Sequence, residues 1–497
     1  MEKEELKDEL LRGEWHLPGR LKQYPGLVRK NGEKYFLYLF ADEYIDGHDP
    51  KDRDSPRASG YPIVLGTCQQ SGLVTLYDCQ WRGTRNIGGN LYEFKYSIYA
   101  IFEGAHVPRP ECFRIKRAST RFPYVSSWYE GWESMEKAKE AVKRVRAFDE
   151  KAVKITENLT LKYIDYYDQH DHLDGELIEA RYSKWVDFEY QTIVSFDEAL
   201  HDWVKFKRML EFTTMGKEIN FHVVLLVLSV EGIVPGKRHE QNSEHVTVQV
   251  HYNHLSKKDP AKPPFIHQNG MLFSRWKVSN EILDDITRTW FANERFYTVY
   301  DYYADSNYWF SGSDVHLSNV MFNNRFLNLI QGLESYHYLL NEQFSPDNNL
   351  FTKNRQKVLD LASDPDLKKW LHNTLKFPKE HSLLDRLDAL IARFTPSLRI
   401  LFGKLDYLQS FSIESKDLRH LLSHGRHEST FIGERIYPNY YIAKILLCLC
   451  ILESLGIDAL VVKRIIELNY ELKDHAHEVI YRVRKAEGNK TDPTGAE

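Results

Sequence analysis

Period-two alternation dominates the first half of the chain. In YEFKYSIYAIF, Tyr92, Phe94, Tyr96 and Ile98 alternate with Glu93, Lys95 and Ser97, so one strand face packs a core and the other meets water. HVTVQVHY repeats the pattern with Val246, Val248 and Val250 against Thr247, Gln249 and His251. KITENLTLKYIDYY follows it more roughly. Such strands predict mostly antiparallel sheet. Two stretches in this half carry a helical pattern instead, SMEKAKEAVKRVRAF and DEALHDWVKFKRMLEF from Asp197. GKRHEQNSEH and KKDPAKPPF, polar or proline-containing, predict loops.

From about His316 the period changes. In HLSNVMFNNRFLNLIQGLESYHYLL, Phe322, Phe326, Leu329, Ile330 and Leu333 recur at three and four, the stripe of an amphipathic helix. RQKVLDLASDPDLKKWLHNTL, SLLDRLDALIARF and the residues around ESKDLRHLLSHG continue the pattern. NYYIAKILLCLCILESLG is apolar on nearly every face, which predicts a helix at a bundle centre. ALVVKRIIELNYELKDHAHEVIYRVRK predicts a last helix. Short connections favour antiparallel neighbours and an up-and-down bundle. The expected fold class is α+β: a β-rich, mostly antiparallel region over residues 1–300 with embedded helices, an all-helical bundle over 305–485, and a disordered tail over 486–497.

A chain of 497 residues is long enough for two or three cores. The formal charge of -5 leaves no whole-chain basic footprint for nucleic acid, so a polyanion would need a local patch. Five cysteines, Cys68, Cys79, Cys112, Cys448 and Cys450, without a CxxC pair, argue against a disulfide framework or a structural zinc site. The charged start, MEKEELKDELLRGEW, does not resemble a secretory signal. ILLCLCIL is far short of the ~20 apolar residues of a membrane span. A cytoplasmic protein without a membrane partner is expected.

The chemistry concentrates in DLRHLLSHGRHES, Asp417 to Ser429. The local period predicts a helix from near Ser415 to Gly425, where positive φ suits glycine. His424 falls in the last turn, where unpaired carbonyls favour positive charge. An arginine holds a phosphate bidentately and keeps its charge at any workable pH. A histidine takes a proton from a ribose 2′-hydroxyl or gives one to a leaving oxygen. Together they suffice for metal-independent RNA cleavage to a 2′,3′-cyclic phosphate and a 5′-hydroxyl, sparing DNA. Arg419 and His424, five apart, differ by roughly 140° on an ideal helix. Joint action on one phosphate therefore requires a distorted helix end or a second copy of the chain. His420 and His424 share a face. The bland alternative is that arginine and histidine are good helix-end residues, and on spacing alone it is the stronger one.

Other constellations compete. His420, His424 and His427 have a metal-like spacing, but Leu421 stands where an HExxH site has glutamate, and Gly425 interrupts the helix. Glu334 and His337, in GLESYH, read as an ordinary polar helix edge before they read as a carboxylate orienting a catalytic histidine. His170 and His172, with Asp168, Asp171 and Asp174, form an acidic run that predicts a solvated turn ahead of a metal site. There is no GxxxxGK[ST] and no GxSxG. No cofactor is called for.

RHLLSH, Arg419 to His424, resembles the Arg-polar-x3-His signature of the HEPN superfamily, with His420 in the polar slot more often held by asparagine. The region from about 305 to 485 resembles the ApeA-like HEPN domain, and FSGSDVHLSNVMFNNRFLNLIQGLESYH resembles its opening. GEWHLPG (Gly13 to Gly19), SIYAIFEGAHV (Ser97 to Val107) and FPYVSSW (Phe122 to Trp128) are similar to the ApeA N-terminal domain. The resemblance implies a ribonuclease of bacterial antiviral defence that cuts host RNA when a phage-derived trigger is sensed; single-stranded or loop RNA is the expected substrate, because a splayed 2′-hydroxyl must align for in-line attack. It implies a homodimer whose Arg-x4-His segments face each other. Arg419 would stabilise the scissile phosphate, His424 would be the principal acid–base residue, and His420 would assist. The N-terminal region would sense and restrain. The rival expectation is a binding protein whose helical half only dimerises.

Overall fold

The computed structural model describes residues 9–31, 34–43, 45, 60–122, 124–129, 150–171, 178–217, 219, 222–236, 243–252, 270–275, 277–306, 319–341, 348–375, 382–423 and 431–488. The chain divides into two compact units, one of residues 1–210 and 219–265, the other of 211–218 and 266–497.

The first unit is antiparallel sheet. Its strands are β1 (Glu9–His16), β2 (Gln23–Asn31), β3 (Lys34–Ala41), β4 (Tyr61–Cys68), β5 (Gly72–Gly88), β6 (Leu91–Glu103), β7 (Ala105–His106), β8 (Ile115–Arg121), β9 (Glu150–Lys154), β10 (Leu159–Asp171), β11 (Ile178–Val194), β12 (His222–Ser229), β13 (Val234–Pro235) and β14 (His245–Tyr252). The large sheet runs β3-β2-β1-β4-β5-β6-β14-β12-β8-β11-β10-β9, and an additional β3–β6 pairing closes its first six strands into a barrel. One strand makes both connections. The first part of β6, Tyr92 to Ile98, pairs with β3, and its end, Ala100 to Glu103, pairs on with β14. Closure leaves the barrel strands without free edges.

The alternation in β6 buries Phe94, Tyr96 and Ile98 as expected. Glu93, expected outward, is buried too. Two charge-assisted contacts from Arg85, at 2.7 and 3.0 Å, satisfy its carboxylate, as burial of a charge requires. In the barrel, Trp15 is fully buried, and a side chain at Gly66 would put its Cβ 2.3 Å from the indole. Only glycine leaves that space. KITENLTLKYIDYY forms a hairpin of β9 and β10 rather than one run. Thr156 Oγ1 accepts from the amides of Asn158 and Leu159 at 3.2 and 3.0 Å and makes the turn. Asp168, His170 and Asp171 sit at the end of β10, in register with Arg181, Glu179 and Ile178 of β11, not in the turn expected; His172 and Asp174 lie outside the described residues. So do SMEKAKEAVKRVRAF and most of the two predicted loops. DEALHDWVKFKRMLEF is helical, within Phe196–Thr213, after a short helix, Val125–Tyr129. We denote these α2 and α1.

The second unit is helical: α3 (Asn280–Ala292), α4 (Tyr297–Ser306), α5 (Asn319–Asn341), α6 (Asn348–Leu361), α7 (Pro365–Thr374), α8 (Leu383–Phe402), α9 (Phe411–Ser423), α10 (Phe431–Ser454), α11 (Ala459–Leu468) and α12 (Tyr470–Gly488). Helix α3 and the start of α4 fall in the stretch expected to be β-rich, yet both helices cluster here, because Leu283, Ile286, Trp290, Val299 and Tyr303 supply apolar faces to this core. Two predicted helices are each two. Asp364 caps α7, its side chain accepting from the Asp366 and Leu367 amides, and Pro365 takes the first turn, where its missing N–H costs nothing. Asn469 separates α11 from α12, its Nδ2 donating to Gly270 O at 3.1 Å and its Oδ1 accepting from Leu472 N at 2.8 Å. Residues 486–488 of the expected tail are helical; 489–497 lie outside the described residues.

Helix α10 runs through the core. From Ile442 to Leu452 every side chain is buried. It is also the one described helix long and apolar enough to span a membrane, and most of that stretch is buried in the protein, as a bundle-centre helix should be. A Cβ at Gly332 on α5 would lie 2.7 Å from Leu447 Cδ2. The glycine lets α5 approach α10 closely. All five cysteines are buried free thiols.

Candidate active site

Helix α9 begins at Phe411, four residues before the expected start. Phe411, Ser412, Ser415 and Leu418 are buried and span about 120° of the helix circumference. Arg419 falls inside that arc by angle, whereas His420 lies about 100° further round and is exposed. The two do not share a face. His424, Gly425 and His427 lie outside the described residues. Asn439, on α10, fixes the roll of α9. Its Nδ2 donates to Glu414 Oε2 and to Arg435 O, each at 2.8 Å, and only 2% of the residue is exposed.

What meets Arg419 is a carboxylate from another helix. Arg419 Nη1 donates to Glu334 Oε1 at 3.2 Å and Nη2 to Oε2 at 2.9 Å. This corrects the preference for Glu334 as an ordinary helix edge: it does engage the candidate site, though through the arginine rather than a histidine. His337, three residues on, is buried.

The Glu334 side chain is 17% exposed and that of Arg419 43%. A pair this open adds little to stability, ~0–1 kcal/mol. Its effect is geometric. Two of the five guanidinium N–H groups are committed to Glu334 and three remain to receive an anion. Glu334 itself rides on a rigid support. Two residues along, Tyr336 is fully buried and donates to Glu453 Oε2 at 2.6 Å. Arg393 Nε reaches both oxygens of Glu453, at 2.9 and 2.7 Å. Helices α5, α8 and α10 are therefore tied at one carboxylate. Burial and the neighbouring anionic groups push the Tyr336 hydroxyl far above its ordinary range, so it stays a donor.

A fixed guanidinium with free donors at the half-open end of a helix can hold a phosphate and stabilise charge developing on it. It cannot move protons, since arginine stays charged. Among the described residues the fold supplies a positioned guanidinium of the kind that could bind a phosphate.

A family model described as ApeA N-terminal domain 1 matches residues 11–290, and one described as Apea-like HEPN matches residues 327–459. The second spans Glu334, Arg419 and the rest of RHLLSH. No curated protein and no solved structure matches the chain.

Proposed function

The chain belongs to the ApeA family, and from that premise we propose that it is a metal-independent endoribonuclease of antiviral defence. A ribose 2′-hydroxyl attacks the adjacent phosphorus, leaving a 2′,3′-cyclic phosphate and a 5′-hydroxyl. Arg419 holds the non-bridging oxygens. His424 transfers the proton, and two subunits bring their motifs to one phosphate because a single straight helix would separate Arg419 and His424 by about 140°. His420, about 100° from Arg419 and exposed, is the more peripheral helper. The β-rich unit senses a phage-derived trigger and restrains the nuclease.

The observation that carries this proposal is the Glu334–Arg419 clamp, a guanidinium held in place with three donors unspent. The test is sequencing of 5′-hydroxyl RNA ends after induced expression of the wild-type, Arg419→Ala and His424→Ala proteins. New ends that vanish in both variants, at unchanged melting temperature, support the enzyme. Ends unchanged in both variants, or absent from the wild type under phage challenge, favour the rival in which the bundle only dimerises.

A further inference from the structure

Beside the clamp lies an open cleft of about 410 Å³, walled by Arg295, Gln331, Glu334, Ser335, Tyr338 and Arg386 among others. Four of these come from α5 at positions i, i+3, i+4 and i+7, which form one stripe on a helix. The opposite stripe, with Phe326, Leu329 and Leu333, is fully buried. The cleft is thus the outward face of the helix that carries the clamp. Glu334 belongs to both: it grips Arg419 and lines the cleft.

The lining has an unusual chemistry for a solvent face. Tyr338 is 58% exposed and makes no hydrogen bond or ring contact among the described residues. Gln331 and Ser335 also leave their side-chain polar groups unused there. Arg295, from the turn before α4, is drawn into the wall by a hydrogen bond from its Nη2 to Leu339 O. Arg386 enters from α8. Arg295 and Arg386 line the cleft with Glu334, and Arg419 grips that glutamate, so guanidinium groups outnumber carboxylates here and the site suits an anion rather than a metal cation. The volume is at the lower end for a small-molecule site, room for about one nucleotide.

We propose that this cleft is a substrate subsite for single-stranded RNA, in which the nucleotide next to the scissile phosphate stacks its base on Tyr338 while Arg386 and Arg295 take a flanking phosphate. This rests on the ribonuclease function proposed above and adds where the strand runs. Base stacking on an aromatic ring tolerates any sequence, and a base can reach Tyr338 only when unpaired. Gln331 and Ser335 offer hydrogen bonds to a base edge or a 2′-hydroxyl. Duplex RNA keeps its bases stacked and is excluded from this contact.

The test uses the full-length protein in a His424→Ala background, so that bound RNA survives, and a fluorescent single-stranded RNA oligonucleotide followed by anisotropy. Adding Tyr338→Ala should weaken binding about 10-fold, and Tyr338→Phe should leave it unchanged, because the ring and not the hydroxyl stacks. Adding Arg386→Gln should lower the slope of log affinity against log salt by about one. Equal affinity for the Tyr338→Ala and parent proteins, together with an unaltered salt slope for Arg386→Gln, overturns the subsite. Equal affinity for the same sequence as a duplex overturns it as well. RNA cutting that persists in the His424→Ala parent fails a different assignment, the catalytic one, and is scored separately from binding.

Discussion

Twice in the helical unit a single glutamate stands among several cations, with opposite consequences. Around Glu471 the cations are lysines and the site is sealed. Lys217 reaches it at 2.8 Å, Lys444 and Lys277 lie within its field, and Glu471, Lys444 and Lys277 are all buried. Around Glu334 the cations are arginines and the site is open. Lysine can release its proton when burial becomes too costly. Burial lowers Lys444 to about 8 and Lys277 to about 7, with the attraction of Glu471 opposing. Arginine keeps its charge and its fork of donors, which suits recognition of a phosphate. The sealed cluster holds the helices together, whereas the open one has charge left over for a ligand.

The largest effect that would break this comparison is on the sealed side. Glu471→Gln removes the carboxylate from the Lys217 ion pair and from the field of the buried Lys444 and Lys277, and should cost about 3 kcal/mol, measured by denaturant unfolding. A loss below about 1 kcal/mol would mean the cluster is solvated and no different in kind from the clamp.

Glu334→Gln should do the reverse. The neutral amide loosens the Arg419 fork, and cleavage should slow about 100-fold, the scale of a misplaced catalytic group, at an unchanged melting temperature. Lost stability with intact cleavage would make Glu334 structural.

His475 sharpens the contrast through pH. Buried, with Lys444 near and its ring 5.0 Å from that of Tyr441, it is held well below the usual histidine range. The folded state thus excludes a proton that the unfolded chain binds below about 6.5. Stability should fall as pH drops below that value, by up to about 1.4 kcal/mol per unit. His475→Gln should flatten this limb of the unfolding profile. An identical slope in the variant would show that the acid sensitivity arises elsewhere.

The smallest effect expected is a gain. Lys444→Met replaces a buried cation by an apolar chain of similar length and should stabilise the protein by about 1 kcal/mol at pH 7. Because the folded Lys444 titrates near 8 and the unfolded one near 10.5, the wild type regains stability between those values. The advantage of the variant should therefore shrink from pH 8 upward, by up to about 1.4 kcal/mol per unit, and reverse in favour of the wild type before pH 10.5. A pH-independent difference would place the cause in packing.

Much of the fold was legible because its signals are local. The alternation in β6 and β14 and the three–four recurrence in α5 mark strands and helices wherever they occur. The break at α7 was written in Asp364 and Pro365, but the apolar period continues across it and masks the stop. Asn469 carries no such mark, since its role depends on Gly270, 199 residues away. The closure of β3 on β6 is a register between distant strands, invisible to any window along the chain. At the candidate site, RHLLSH was legible as a motif, and Glu334 as a carboxylate on a helix. Their meeting was not, because 85 residues separate Arg419 from its partner.

The chain by itself determined which segments become strands and helices, that the α10 segment must lie inside, and that arginine and histidine are brought to one helix end. Those properties follow from side-chain periodicity and residue type, which neighbours a few positions away suffice to express. The tertiary structure alone decided which glutamate faces which cation and how much water each pair keeps. Burial sets whether a charge is a cost to be neutralised or a hand held out to a ligand, and it emerges only when distant helices pack.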